Sequence, residues 1–222
     1  MAMSTDFKER FEEIHNDIQE MAGLVTRAIS RSVEALKSRD LKLAHKIIAD
    51  DVAVNKKRFA IEDKCIEIMG SQLLPTGDLR DMVSVLSIIT ELERIGDYAE
   101  GIAKIVVMIG DEPPLKPLID IPRMAELTVQ MIEKSIQAFR NRDVALAKHV
   151  VTMDNVVDGL YDQVFRELLT FMMVDPKTIN RATRLIWVAH NLERAADRVT
   201  NICERVVFTV SGKMEDLEVS KY

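Results

Sequence analysis

The sequence predicts an all-α fold: six helices forming two tandem three-helix bundles related by internal duplication. Three observations predict it. Apolar residues recur at three- and four-residue steps almost throughout, with no competing two-residue alternation. Aromatics are only 5%, so Leu, Ile, Val, Ala and 12 Met carry a hydrophobic content of 47%, a mix that fills a core while keeping helix propensity high. Finally, "SVEALKSRDLKLA" (Ser32 to Ala44) returns as "SIQAFRNRDVALA" (Ser135 to Ala147), with Ser, Ala, Arg, Asp, Leu and Ala identical. The repeat carries Asp51 onto Asp154 and Asn55 onto Asp158 at an offset of 103, which falls to 100 by Glu93 and Glu193. An offset that changes only at a loop marks a duplicated unit.

The first helix carries a stripe of Phe11, Ile14, Ile18, Met21, Val25, Ile29, Val33 and Leu36, with Ser4, Thr5 and Asp6 offering a cap. "KSRD" interrupts the pattern near residue 40, and a second helix runs to about Met69. "GSQLLPTGD" is the clearest break, and a third helix runs from about Asp78 to Ile109. "GDEPPLKPLIDIP" holds four of the six prolines and reads as a non-helical linker between halves. Helices follow at roughly 122–139, 143–173 and 176–210, with Asp175 and Pro176 as N-cap and first-turn pair of the last. The expected organisation is a first repeat over 1–110, a linker over 111–121, a second repeat over 122–212 and a frayed tail over 213–222, with Gly212 as helix stop.

The 222 residues suit one domain or two joined halves, at roughly 150 residues per domain. The net charge of −6 is spread along the chain, and the lack of a dense Lys/Arg block speaks against a nucleic-acid surface. Cys65 and Cys203 sit in apolar helical patterns without CxxC spacing and read as reduced core thiols. No apolar run approaches the ~20 residues of a membrane span, and "MAMSTDFKERF" places charges where a signal peptide needs an apolar stretch. The expectation is a soluble cytoplasmic protein. Met172, Met173 and Trp187 fall at helical spacing and read as core, His15 as solvated.

"ELERIGD" (Glu91 to Asp97) and "NLERAAD" (Asn191 to Asp197) each put a glutamate and an aspartate four residues apart. Such pairs share a helix face about 6 Å apart and repel by a few tenths of a kcal/mol. Glu93/Asp97 and Glu193/Asp197 are two of them, Asp154/Asp158 a third, and Asp51/Asn55 its weaker first-half counterpart. Counting from the turns near 75 and 175 places the pairs of each half at matched height on antiparallel neighbours. A single acidic pair is an ordinary solvated face, whereas four in register across a duplication point to a multivalent cation offsetting the repulsion. Oxygen ligands suit Mg, Mn, Ca or oxidised iron. Arg94 and Arg194 serve as salt-bridge partners or as supports of the ligands.

"ELERIGDYAEGIA" and "NLERAADRVTNICERVV" resemble the two signature helices of the PhoU family of phosphate-specific transport accessory regulators. The resemblance extends over nearly the whole chain. It implies metal ligands at Asp51, Asn55, Glu93, Asp97, Asp154, Asp158, Glu193 and Asp197, holding multinuclear iron or zinc clusters on the bundle surfaces. Asn55 departs from the family pattern with an uncharged ligand, and Gly101 stands where the second copy has Asn201. The resemblance also implies signalling without catalysis: an adaptor between a phosphate ABC transporter and a sensor histidine kinase, peripheral to the membrane through those partners and restraining the phosphate-starvation response. A homodimer is expected from the leftover apolar faces of long amphipathic helices.

Two alternatives stand beside this. A carboxylate-bridged di-iron enzyme needs ExxH motifs on two helices, and only Glu12 to His15 supplies one. A metal-free helical scaffold, or an accessory of another phosphate permease, needs no ligands at all. The chain has no GxxxxGK phosphate loop, its Ser and Thr residues sit in helices without a paired His, and neither Cys has a plausible catalytic base nearby in sequence.

Overall fold

The structure is a computed structural model describing residues 5–71 and 73–217. In chain order it contains α1 (Thr5–Ser38), α2 (Leu41–Asp50), α3 (Val52–Ser71), α4 (Thr76–Ile109), α5 (Asp120–Asn141), α6 (Val144–Val174), a 3-10 turn (Pro176–Thr178) and α7 (Ile179–Ser211). No strand occurs among the described residues. The single second helix expected from the sequence is two, meeting at Asp51. Asp51 keeps helical dihedrals, but its carbonyl accepts from the Val54 N–H at 2.9 Å and the Asn55 N–H at 3.4 Å, a locally tightened turn. The two pieces continue one rod, so six rods remain.

The chain reverses between α1 and α2, and between α5 and α6, by the same device. Arg39 and Arg142 take left-handed dihedrals, φ 58° and 53°, which end the preceding helices. The next residue caps the following helix: Asp40 Oδ1 accepts from the Leu43 N–H and Asp143 Oδ1 from the Leu146 N–H, both at 2.9 Å. At the linker, helix begins earlier than expected. Pro122 lies in the first turn of α5, where its missing N–H would have had no helical partner anyway. Asp175 caps the 3-10 turn through the Lys177 N–H, and α7 starts at Ile179.

The rods α1, α2–α3 and α4 pack as one bundle and α5, α6 and α7 as the other, and the two join along α4–α7 and α1–α5. Buried side chains from both halves form one continuous core. α4 and α7 run antiparallel: Glu91 pairs with Arg198 at 3.6 Å, and a Cβ on Gly101 would lie 3.4 Å from Asn191 Nδ2. Between these contacts, Tyr98 of α4 meets both Arg194 and Arg198 of α7.

Several side chains sit elsewhere than the sequence implied. His15 is buried, 8% exposed, between Phe11 and Phe139 with ring centroids 4.5 and 5.1 Å away. Trp187 is 50% and Met173 84% exposed, while Met172 is partly buried against the core. Cys65 and Cys203 are buried and free, burial pushing each thiol up to about 12. Gly212, left-handed at φ 74°, stops α7 as expected. Beyond it the chain turns back along α7 instead of fraying: the Leu217 N–H donates to Glu204 at 3.1 Å. Residues 218–222 lie outside the described residues, as does the Ser4 of the expected cap, and of Thr5 and Asp6 only the helical backbone is described.

One buried charge ties the halves. Asp81 of α4, its side chain 3% exposed, accepts from Arg142 at 2.5 Å. Arg142→Ala is expected to cost about 2–3 kcal/mol in urea unfolding, and adding Asp81→Asn should restore at least half by removing the stranded carboxylate. His15 supplies a pH signature. Burial lowers its folded value from 6.5 to about 4, so the unfolded chain takes up the proton first. Stability should therefore decline as pH falls from about 6.5 towards 4, and His15→Leu should flatten that part of the pH–stability curve.

Candidate functional site

On α3 and the end of α2, Asp51, Asn55 and Arg58 follow at four- and three-residue steps and so share one face. α4 presents Glu93, Asp97 and Glu100 on a similar stripe. The helices lie close here because Gly96 has no side chain: a Cβ there would stand 3.4 Å from Val54 Cγ1 and 3.6 Å from Asp51 Oδ1. The Asn55 amide donates to Asp51 Oδ2 at 3.1 Å. Burial, then the charges of Glu100, Asp97 and Glu93, push the Asp51 carboxyl above its usual range. Burial and Glu93 do the same to Asp97. The four residues expected in the first half are thus gathered, and Glu100 joins them.

Glu100 is the residue the sequence reading missed. It lies outside the four-residue spacing, but its i,i+3 relation to Asp97 puts it on the same face. It restores the carboxylate lost at Asn55, while its second-half counterpart, Thr200, is buried. Gly101, the other departure, belongs to the α4–α7 seam against Asn191. A cavity of about 310 Å³, bordered by Arg27, Arg31, Asp50, Asp51 and Glu100, opens beside this acidic face.

The second face has the same construction with different neighbours. Asp154, Asp158 and Tyr161 share a stripe of α6, and His190, Glu193 and Asp197 a stripe of α7. Tyr161 and His190 have ring centroids 6.0 Å apart. In this antiparallel pair, Asp158 and Asp154 therefore lie along the same stretch as Glu193 and Asp197. Asp154 is buried. His190 Nδ1 is 3.4 Å from Glu193, a contact that the search for Glu preceding His overlooked because the order is reversed. Burial raises Asp197 above its usual value while Arg194, Arg198 and His190 pull it back. The same burial, with Arg194, holds the imidazole below its usual value.

Arginines treat the faces differently. Arg58 of α3 reaches Glu93 at 3.3 Å, and Arg94 is 3.8 Å from the same carboxylate. Arg194 pairs with Asp197 at 2.7 Å. The donor types are those a hard cation takes: four carboxylates in the first half, four plus an imidazole in the second. Among the described residues, however, no three His, Cys, Asp or Glu side chains converge closely enough to hold one ion as they stand. The faces concentrate negative charge on adjoining helices without forming a closed cage.

A sequence model of the PhoU domain matches residues 18–106 and 121–206, one match per half. The chain is 38% identical to the phosphate-specific transport system accessory protein PhoU homolog of Aquifex aeolicus, over 94% of each chain. It is 30% identical to the accessory protein PhoU of Escherichia coli K12, over 95% of this chain and 88% of that one. The crystal structure of PhoU from Pseudomonas aeruginosa superposes with a TM-score of 0.88 at 30% identity, covering 93% of this chain and all of that one. The regulatory protein PhoU from Streptococcus pneumoniae gives 0.87 at 29% identity, covering 95% and 99%. With both halves matched and these relatives aligned along nearly its full length, the chain belongs to the PhoU family.

Proposed function

We propose that the protein is a regulator of phosphate uptake, an adaptor between a phosphate ABC transporter and a sensor histidine kinase that restrains the phosphate-starvation response when phosphate is plentiful. The relatives' names as accessory proteins of phosphate-specific transport support the transport context. The observation that carries the adaptor reading is the non-equivalence of the two acidic faces. One duplicated scaffold presents Asp51, Glu93, Asp97 and Glu100 beside Arg58, and Asp154, Asp158, Glu193 and Asp197 beside Tyr161 and His190. Two similar but distinct surfaces suit two different partners.

No described helix is long and apolar enough to cross a membrane, which suits action from the cytoplasm through membrane-bound partners. Metal belongs to the proposal as a modulator of these faces. Asp51, Asn55, Glu93 and Asp97, with Glu100, would hold a cation in the first half, and Asp154, Asp158, Glu193 and Asp197, with His190, in the second. A bound iron, zinc, magnesium or manganese ion would add positive charge to faces where acids outnumber the arginines paired to them. The surfaces would then contact partners through that ion or, where Arg58 and Arg194 already neutralise an acid, directly.

The test is co-purification from membranes of phosphate-replete cells, beside a promoter reporter of the starvation response. The tagged wild-type chain should retain transporter subunits and the kinase, and its deletion should raise the reporter in replete medium. Replacing Asp51, Glu93 and Asp97 with Ala should release one partner preferentially, and replacing Asp158, Glu193 and Asp197 the other. Retention of neither partner, with an unchanged reporter on deletion, would contradict the proposal.

A further inference from the structure

The second acidic face continues into an exposed apolar strip where α6 packs beside α7, the seam between the two helices forming a shallow groove. On α6, Asp154, Asp158, Tyr161, Phe165 and Leu169 follow at steps of three and four, so carboxylates and bulky apolar side chains occupy one stripe. On α7, Ile179 and Trp187 precede His190, Glu193 and Asp197 with the same periodicity. The Tyr161 ring links the two ends, 6.0 Å from His190 and 6.3 Å from Phe165. Beyond it, Phe165, Leu169, Met173, Ile179 and Trp187 are all exposed. The equivalent stretch of the first half is different: Arg58 and Glu62 stand where Tyr161 and Phe165 do, 3.9 Å apart as an ion pair. Leu169 and Ile179 have exposed apolar counterparts in Ile66 and Leu79, so what the first half lacks is the aromatic part, with Arg58, Glu62 and Ser87 where Tyr161, Phe165 and Trp187 stand.

We infer that the α6–α7 groove docks one amphipathic helix of a partner protein, with bulky apolar side chains along one half and Lys or Arg along the other. Asp154 to Leu169 is about 22 Å of helix at 1.5 Å per residue, which sets the occupant at about 15 residues. The apolar half covers Phe165, Leu169 and Trp187, the mode in which a helix lays its anchors in a groove. Charge complementarity sets the other half, because Asp154, Asp158, Glu193 and Asp197 outnumber Arg194, the arginine paired to Asp197 there. The same acids, on a chain of net charge −6, disfavour an anionic bilayer, so the occupant is a protein helix and not a membrane surface. This inference rests on the adaptor reading for the existence of a partner, and on the groove alone for that partner's chemistry.

Trp187 is the only tryptophan and is half exposed, so it reports on occupancy. The experiment titrates the full-length protein at low ionic strength with a peptide of about 16 residues. The peptide carries Leu at i, i+4 and i+7 in its first half and Lys on the same face of its second. A version with Glu for each Lys and vesicles containing phosphatidylglycerol form the other arms. The Lys peptide should give a saturable blue shift of Trp187 emission. Affinity should fall about tenfold or more with the Glu peptide, and likewise in Phe165→Glu and Leu169→Glu, two exposed substitutions whose folding is checked by melting. Ile66→Glu, the first-half counterpart of Leu169, should bind as the wild type does.

No shift with the Lys peptide, equal affinity for both peptides, unchanged binding in both groove variants, or a shift produced by vesicles alone would overturn the inference. Co-purification separates it from the adaptor reading. Phe165→Glu that keeps every membrane partner removes the groove and leaves the adaptor, whereas wild type that retains no partner removes the adaptor.

Discussion

Carboxylates fixed one helical turn apart on α4 and α7, each facing further acids across an antiparallel neighbour, impose the constraint on which the account of the molecule depends. Side chains held by rigid helices escape one another's charge only by rotating into solvent, and partial burial limits that escape. Asp51 shows the consequence, its carboxyl lifted by burial and by three neighbouring acids. The folded state therefore carries an electrostatic cost that a cation, a nearby arginine or a basic partner relieves. Under the proposed function, that cost is what ties each face's geometry to recruitment of positive charge from an ion or a partner.

Duplication explains why there are two such faces, and divergence explains why they differ. The first copy has an amide at Asn55 where the second has Asp158, an acid at Glu100 where the second has Thr200, and Arg58 against Glu93. The second kept Asp158, buried Thr200 and placed Tyr161 and His190 where a groove begins. The same breaking of symmetry appears at the ends of the bundles. Arg142 meets buried Asp81, whereas the residue matching Asp81 is Arg181, which turns to Glu112 and the Pro113 carbonyl of the linker. Symmetric architecture with asymmetric chemistry is what an adaptor between unlike partners requires.

Periodicity and the repeat revealed the helices, their order and the stretch along which acids from neighbouring helices meet, because these depend on local spacing and on loop length alone. Trp187, Met173 and His15 were misread because helical spacing says which residues share a face, not which face the neighbouring bundle covers. Trp187 stays half exposed on α7, whereas α5 supplies Phe139 against His15. Glu100 stands three residues from Asp97, outside a four-residue motif, and His190 precedes its glutamate, the reverse of an ExxH order. The turn at Asp51 carries no Gly or Pro that would have betrayed it. Membership of the PhoU family was legible in the paired "LER" helices, which fall one in each of the two matched domains.

The most direct test of the central claim is to locate cations by anomalous X-ray scattering in crystals grown with iron or zinc, recorded at each metal's edge. The account predicts anomalous density against Asp51, Glu93 and Asp97 on one face and against Glu193, Asp197 and His190 on the other. Density confined to other surfaces, or none while Arg58 and Arg194 stay paired to Glu93 and Asp197, would contradict it.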